Sequence, residues 1–369
     1  MPSKNVFHCV LIGLIILISS RIPAAAHDTE ERSTKKTSFF ILPILSYAPE
    51  TRWVVGAGGI YTFRSRPDIP GQRPSFIPFK AAYTQNKQFI FTLEPEITLQ
   101  NGSTIITGLM ELKEFPDMFY GIGNDTPITG GERYTPRQVS FEISLQKRLR
   151  SSRNLFVGLF YGHDRYRFQP FDPEGRLASG TLIGSQGGTI SGAGVLFKWD
   201  TRDNVFFPTQ GHHIQISANL QDGLLGSRYD YVGMKAEARA YIPVFRQHVL
   251  GIHGVVRGGS GDVPFMALPC LGGEDILRGY NGALFRDRIL IAVQAEYRIP
   301  VWKRWGMAVF AGLGEVAARL SHLQLSRLKY SIGLGIRFRI SPAEGTNLRL
   351  DFGFGQACSG TYITAGEAF

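Results

Sequence analysis

The chain has 369 residues, with 40 Lys and Arg against 30 Asp and Glu, for a formal charge of +10. Its hydrophobic content of 43% is ordinary, and no apolar run reaches the length of a membrane-spanning helix, which excludes a helical membrane protein. The basic residues are scattered rather than gathered in one patch, which argues against nucleic-acid binding.

The first element is an apolar stretch from Val10 to Ile18, preceded by Lys4 and followed by Ala24, Ala25 and Ala26. This pattern reads as a signal peptide over 1–26. Removing Lys4 and Arg21 with it leaves 38 basic residues against 30 acids, about +8. A polar tail over 27–37 follows, and it is expected to leave no room for a folded periplasmic domain.

From there to Phe369, apolar and polar side chains alternate with the period of a strand. The alternation predicts strands over 38–47, 51–63, 75–84, 88–99, 103–113, 136–148, 154–168 and 189–200. The second half adds 211–221, 229–242, 247–258, 289–299, 306–318, 328–340, 346–355 and 361–369. That makes about sixteen, with fourteen the alternative; both are even, as in bacterial outer-membrane barrels. In 289–299 the residues Ile289, Ile291, Val293, Ala295, Tyr297 and Ile299 share one face, while Gln294, Glu296 and Arg298 take the other. The same split sets Tyr330, Ile332, Leu334 and Ile336 against Lys329, Arg337 and Arg339. Many strands of about ten residues, apolar on one side and charged on the other, match lipid outside and a wet lumen inside. The fold class is therefore all-β: a transmembrane antiparallel β-barrel over 38–369 in a bacterial outer membrane, in contact with its lipids. Trp199, Trp302 and Trp305 fall at strand ends, where an aromatic girdle sits. The long connections 114–135, 169–188 and 259–288 all fall on one end, while short turns fall on the other, apart from the connection 64–74, which is longer than expected there.

No catalytic residue emerges. There is no G-x-S-x-G, and Ser217 with His213, four apart on a strand, stand about 13 Å apart. His212 and His213 lack the further ligands of a metal site, and no cofactor is implied. Cys270 and Cys358 both fall on the long-loop side. The oxidising periplasm permits a disulfide between them, with free thiols the alternative.

Three stretches go beyond a generic barrel. Asp200-Thr201-Arg202-Asp203-Asn204 leads through Pro208 to Gly211 in a short turn; Leu277-Arg278-Gly279-Tyr280 lies in the longest loop; and Glu296-Tyr297-Arg298 precedes Phe310-Ala311-Gly312-Leu313-Gly314. Together with a terminal Phe369, these resemble the BamA/TamA family of outer-membrane assembly and translocation barrels, the bacterial surface antigen family. The resemblance implies that the loop carrying Arg278, Gly279 and Tyr280 folds back into the lumen, where Arg278 meets the inward Glu296. Where the family has an acid beside the glycines of the Phe310, Gly312 and Gly314 motif, this chain has none. Glu296 is then expected to act alone or with another inward acid, Glu237 or Asp351. Phe369 resembles the C-terminal signal that makes a barrel a client of the barrel assembly machinery. The resemblance implies that the chain assists insertion or translocation of polypeptides, or alternatively of lipids, and that its partner is a polypeptide substrate or a periplasmic or lipoprotein chain. A weak seam between 38–47 and 361–369 would offer an edge for strand addition. The alternative is a passive pore or surface-displayed barrel without assembly activity.

Overall fold

The computed structural model describes residues 37–48, 52–64, 73–169, 173–282, 284–341 and 346–369. The expected signal peptide, the expected polar tail up to residue 36 and most of the 64–74 connection lie outside them. Seventeen strand segments form the main sheet, and two of these are halves of one interrupted strand, giving sixteen.

In chain order the strands are β1 (Thr37–Ala48), β2 (Arg52–Phe63), β3 (Ser75–Thr84), β4 (Phe89–Leu93 with Glu96–Leu99) and β5 (Thr104–Glu114). Then come β6 (Pro136–Arg148), β7 (Leu155–Phe168), β8 (Gly188–Asp200), β9 (Gly211–Gln221), β10 (Tyr231–Pro243) and β11 (Val249–Gly261). The last five are β12 (Ile289–Trp302), β13 (Trp305–Ala317), β14 (Lys329–Ser341), β15 (Thr346–Gly355) and β16 (Cys358–Ala365). Each pairs antiparallel with its chain neighbours. Sequence boundaries agree with these to within a few residues because period-2 alternation stops where a turn begins.

Two strands depart from expectation. β4 breaks at Glu94-Pro95, since proline has no N–H to give the ladder. The Pro95 carbonyl instead accepts from Gly108 N at 2.9 Å. The last strand was expected to run to Phe369 but ends at Ala365, and Gly366 takes φ 94°, a left-handed conformation that glycine adopts without strain.

The alternation marks two environments. Ile332 is 57% exposed and Leu145 56%, while Ser331, Arg337, Ser144 and Gln146 on the other face are buried. A band of large apolar side chains facing outward with polar ones inside is the inverse of a soluble protein, and it requires lipid around it. Trp302 and Trp305 pair across the turn joining β12 to β13, both exposed, as a girdle needs. The three long connections share an apolar cluster that includes Phe119, Tyr134, Leu177, Val263, Phe265 and Leu268. They pack together over one mouth of the barrel.

One junction differs from the rest. Among the described residues no ladder joins β1 to β16. By contrast, β1 pairs with β2 from Thr37↔Phe63 to Ala48↔Arg52, and β15 with β16 from Leu348↔Ala365 to Gly355↔Cys358.

Candidate functional site: an ion network inside the barrel

The loop between β11 and β12 turns inward over β13 to β16. Leu277 has φ 54° and Gly279 φ 119°, so two left-handed residues flank Arg278 and reverse the chain around it. Arg278, Glu296 and Asp351 are all 0% exposed. Arg278 Nη1 donates to Glu296 Oε2 at 2.8 Å and also to Asp351 Oδ2. One nitrogen thus bridges two carboxylates, rather than the guanidinium forking over one. The second acid is Asp351; Glu237 instead pairs with Lys235, Arg239 and His253 on another part of the wall.

The guanidinium carbon lies 3.5 Å from the centre of the Phe310 ring, a cation–π contact in a dehydrated setting. The resembling motif's missing acid is therefore offset in two ways, by Asp351 from the next strand pair and by Phe310 itself. Further arginines surround the acids. Arg298 Nε meets Glu296 at 2.9 Å, Arg337 Nη2 meets Glu296 at 3.0 Å, and Arg349 Nη1 meets Asp351 at 3.5 Å. Arg337 also donates to Asp351 and to Glu367. Four guanidinium groups thus face three carboxylates, and the residual charge is positive. So dense a set of buried ions persists only because each carboxylate accepts from at least two cations.

The neighbouring Tyr280 ties the loop to the last strands. Its hydroxyl donates to the Tyr330 carbonyl at 2.9 Å and accepts from Gln356 N at 2.8 Å. Gly279 N donates to the Tyr362 hydroxyl at 2.9 Å, which in turn donates to the Tyr280 carbonyl at 3.1 Å. The wall beneath has no side chains where the loop lies on it. A Cβ on Gly353 would stand 2.5 Å from the Arg278 carbonyl, and one on Gly355 2.5 Å from the Tyr280 ring. Gly312 and Gly314 leave room for Leu277 and Leu271 in the same way. Gly353 and Gly355 belong to the site and were not singled out in the sequence. Their signal was the inward face of β15, which reads Arg349, Asp351, Gly353, Gly355.

The short turn from Asp200 to Gly211 also folds toward the lumen. Asp200 accepts from Arg202 Nε at 2.9 Å and from Arg73 Nη1 at 2.8 Å. Asp203 closes the turn by accepting from Thr209 N at 2.9 Å, and the Pro208 carbonyl accepts from Arg298 Nη1 at 3.4 Å. Gly211, at φ 101°, sits where a Cβ would come within 2.3 Å of the Thr201 carbonyl. Cys270 and Cys358 are not joined. Cys270 sits opposite Arg286 with its thiol donating to the Leu268 carbonyl, whereas Cys358 opens β16 beside the apolar cluster of Leu271 and Tyr280.

With this geometry in view, the likenesses to known proteins become specific. Residues 97–369 match the Omp85 superfamily domain. The chain belongs to the Omp85 superfamily. As such it is a non-enzymatic outer-membrane barrel. It is 34% identical over 219 residues to the outer membrane protein assembly factor BamA of Nitratidesulfovibrio vulgaris, covering 54% of this chain and 27% of that protein. The chain thus spans little more than a quarter of that curated relative. Two solved structures share the fold. BamA from Haemophilus ducreyi lacking POTRA domains 1–3 gives a TM-score of 0.55 at 14% identity, over 90% of this chain and 70% of that one. CdiB from Acinetobacter baumannii gives 0.55 at 12% identity, over 90% and 60%. In this Omp85 barrel the loop reaches Glu296 through Arg278 and the short turn reaches it through Arg298.

Proposed function

We propose that this Omp85 barrel assists insertion or translocation of polypeptides at the outer membrane, acting through the edge left between β1 and β16. The observation that carries this reading is the missing β1–β16 ladder among the described residues. An unpaired strand edge offers N–H and C=O groups to an incoming extended segment, which can add to the sheet. β1 suits the role: it contains Pro43, which strands tolerate at edges, and no Asp, Glu, Lys or Arg to fasten it to the ion network. The relative and the BamA structure, named as assembly factors or as BamA, lend the reading support. On the same reading a polypeptide is the substrate, and a periplasmic or lipoprotein partner delivers it.

A passive pore would need an open path. Arg278's loop and the Asp200–Gly211 turn instead enter the lumen from opposite ends and narrow it. The test is photocrosslinking in cells from positions that face lipid. Phe39 and Ile41 on β1 would carry the crosslinker, with Val195 in the middle of the barrel as control; all three side chains are exposed. Polypeptides captured from β1 and not from Val195 support the proposal, with their surface levels falling on depletion of the chain. Equal capture from both, with an unchanged outer-membrane proteome, would overturn it.

A further inference from the structure

Residues 366–369 leave the sheet and enter the lumen, where they meet a surface shaped to receive them. After Gly366, whose N–H reaches the Asn347 carbonyl at 2.7 Å, the Glu367 side chain, 2% exposed, lies among donors. It accepts from Asn347 Nδ2 at 2.6 Å and Arg337 Nε at 3.1 Å, and stands 3.5 Å from Arg298 Nε. Two residues on, the Phe369 ring is 4% exposed, in a cluster with Tyr241, Val249 and Ala368. The Phe369 oxygen accepts from Arg298 Nη2 at 2.9 Å, and the ring lies 5.1 Å from the His253 ring. The slot exists because residue 251 is glycine: a Cβ there would stand 3.0 Å from the Phe369 ring. Beside the tail a cavity of about 330 Å³, lined by Arg202, Glu237, Arg239 and His253 among others, leaves room for more chain.

Turned inward, the acid and the aromatic of the tail each find a partner. We propose that the inner wall from β10 to β14 carries a binding site for an extended polypeptide segment with an acidic residue and, two positions later, an aromatic one. The chain's own Glu367-Ala368-Phe369 occupies it in cis, which draws the end of β16 away from the seam. Arg298 and Arg337 hold the acid, Arg298 also holds the backbone oxygen, and the Gly251 slot takes the ring. A segment of an incoming chain with the same pattern would compete for the site and release β16. That last step rests on the function proposed above, whereas the site rests on geometry alone.

The experiment uses the chain refolded in detergent micelles and a fluorescein-labelled synthetic peptide copying residues 359–369, followed by anisotropy. In the wild type the tethered tail competes at millimolar effective concentration, so added peptide binds weakly. Phe369→Ala vacates the slot and is expected to bind the peptide at least about ten-fold more tightly, a difference of ~1.4 kcal/mol. That gain should vanish with Arg298→Gln, and with peptides in which alanine replaces the glutamate or the final phenylalanine. Equal binding by wild type and Phe369→Ala, or a gain indifferent to the peptide's acid and aromatic, would overturn the site. Gly251→Val offers a second route that keeps the tail intact. It should raise hydrogen exchange across 358–369 by about ten-fold or more, and unchanged exchange would refute the docking. If peptide binding holds while crosslinking from β1 captures nothing, the site stands and the assembly function falls.

Discussion

Arg278→Ala should loosen the lumen loop, but by less than loss of its partner would. In the wild type Glu296 accepts from Arg278, Arg298 and Arg337, and Asp351 from Arg278, Arg337 and Arg349. Removing Arg278 leaves each carboxylate with two cations, and the buried set becomes three against three. The penalty should therefore sit at the lower end of the range for breaking a buried pair, ~3 kcal/mol, including the lost stacking on Phe310. Glu296→Ala instead leaves four guanidinium groups facing two carboxylates, so its cost should approach the upper end, ~5 kcal/mol. At ~1.4 kcal/mol per decade, the first change shifts the docked-to-undocked ratio of the loop by about a hundred-fold. Limited proteolysis of the refolded barrel within 270–282 reads that ratio, while heat-modifiable gel mobility reports whether the barrel itself survives. Arg278→Ala should speed loop cleavage by up to that factor with the barrel intact. Glu296→Ala should do more, and lower the temperature at which the barrel unfolds. An Arg278→Ala loop as resistant as wild type, or an Arg278→Ala barrel weaker than the Glu296→Ala barrel, would refute the charge-balance reasoning.

Three further outcomes follow from the geometry. Tyr280→Phe removes the hydroxyl serving Tyr330 O and Gln356 N, and should cost ~1–3 kcal/mol of loop docking, visible in the same proteolysis. Leu334→Arg puts a charge on the lipid face in the middle of β14 and should cost ~2–4 kcal/mol in urea-dependent folding into bilayers, whereas Leu334→Phe should fold as wild type does. Burial pushes the Cys270 thiol up, which favours the neutral thiol over the reactive thiolate. Its alkylation in the folded barrel should be slow at neutral pH and should accelerate as pH rises toward that raised value, as mass spectrometry of the peptide will show; fast labelling at pH 7 would count against its buried setting.

Much of this barrel was legible because lipid and lumen impose opposite polarities on alternate residues. The outward Tyr330, Ile332, Leu334 and Ile336 can be read straight from the chain, whereas the alternation alone admits fourteen or sixteen strands and the pairing of the strands gives sixteen. Arg278 meeting Glu296 was an expectation of the resemblance, and the structure brings the two together. Other features were hidden because they depend on contacts between distant strands. Asp351 was one of two candidate acids, and only the register of β14 against β15 brings it under Arg278 rather than Glu237. Gly353 and Gly355 were not singled out in the sequence, yet their missing side chains are the space in which the loop lies. Phe369 lies beyond the last strand because alternation describes a strand only while it lasts, and this one ends at Ala365, before Gly366 turns the chain.

The placement of Glu296 joins these features into one mechanical arrangement. Its carboxylate holds Arg278 from the long-loop end, while Arg298 and Arg337, which it also binds, hold Phe369 and Glu367 from the other. Loop and tail are thereby fastened to the same wall, β12 to β15, with Tyr362 of β16 drawn in through Gly279. β1 brings no ionic group to this network and is held by its ladder to β2, a ladder facing Gly56, Gly58 and Gly59. The barrel is thus stiff on one side of its seam and held chiefly by backbone bonds on the other. If the seam opens, β1 and β2 should move while β12 to β15 stay fixed, so hydrogen exchange should be fast along β1 and slow along β12. Equal protection of both would mean that the ion network does not set where this barrel yields.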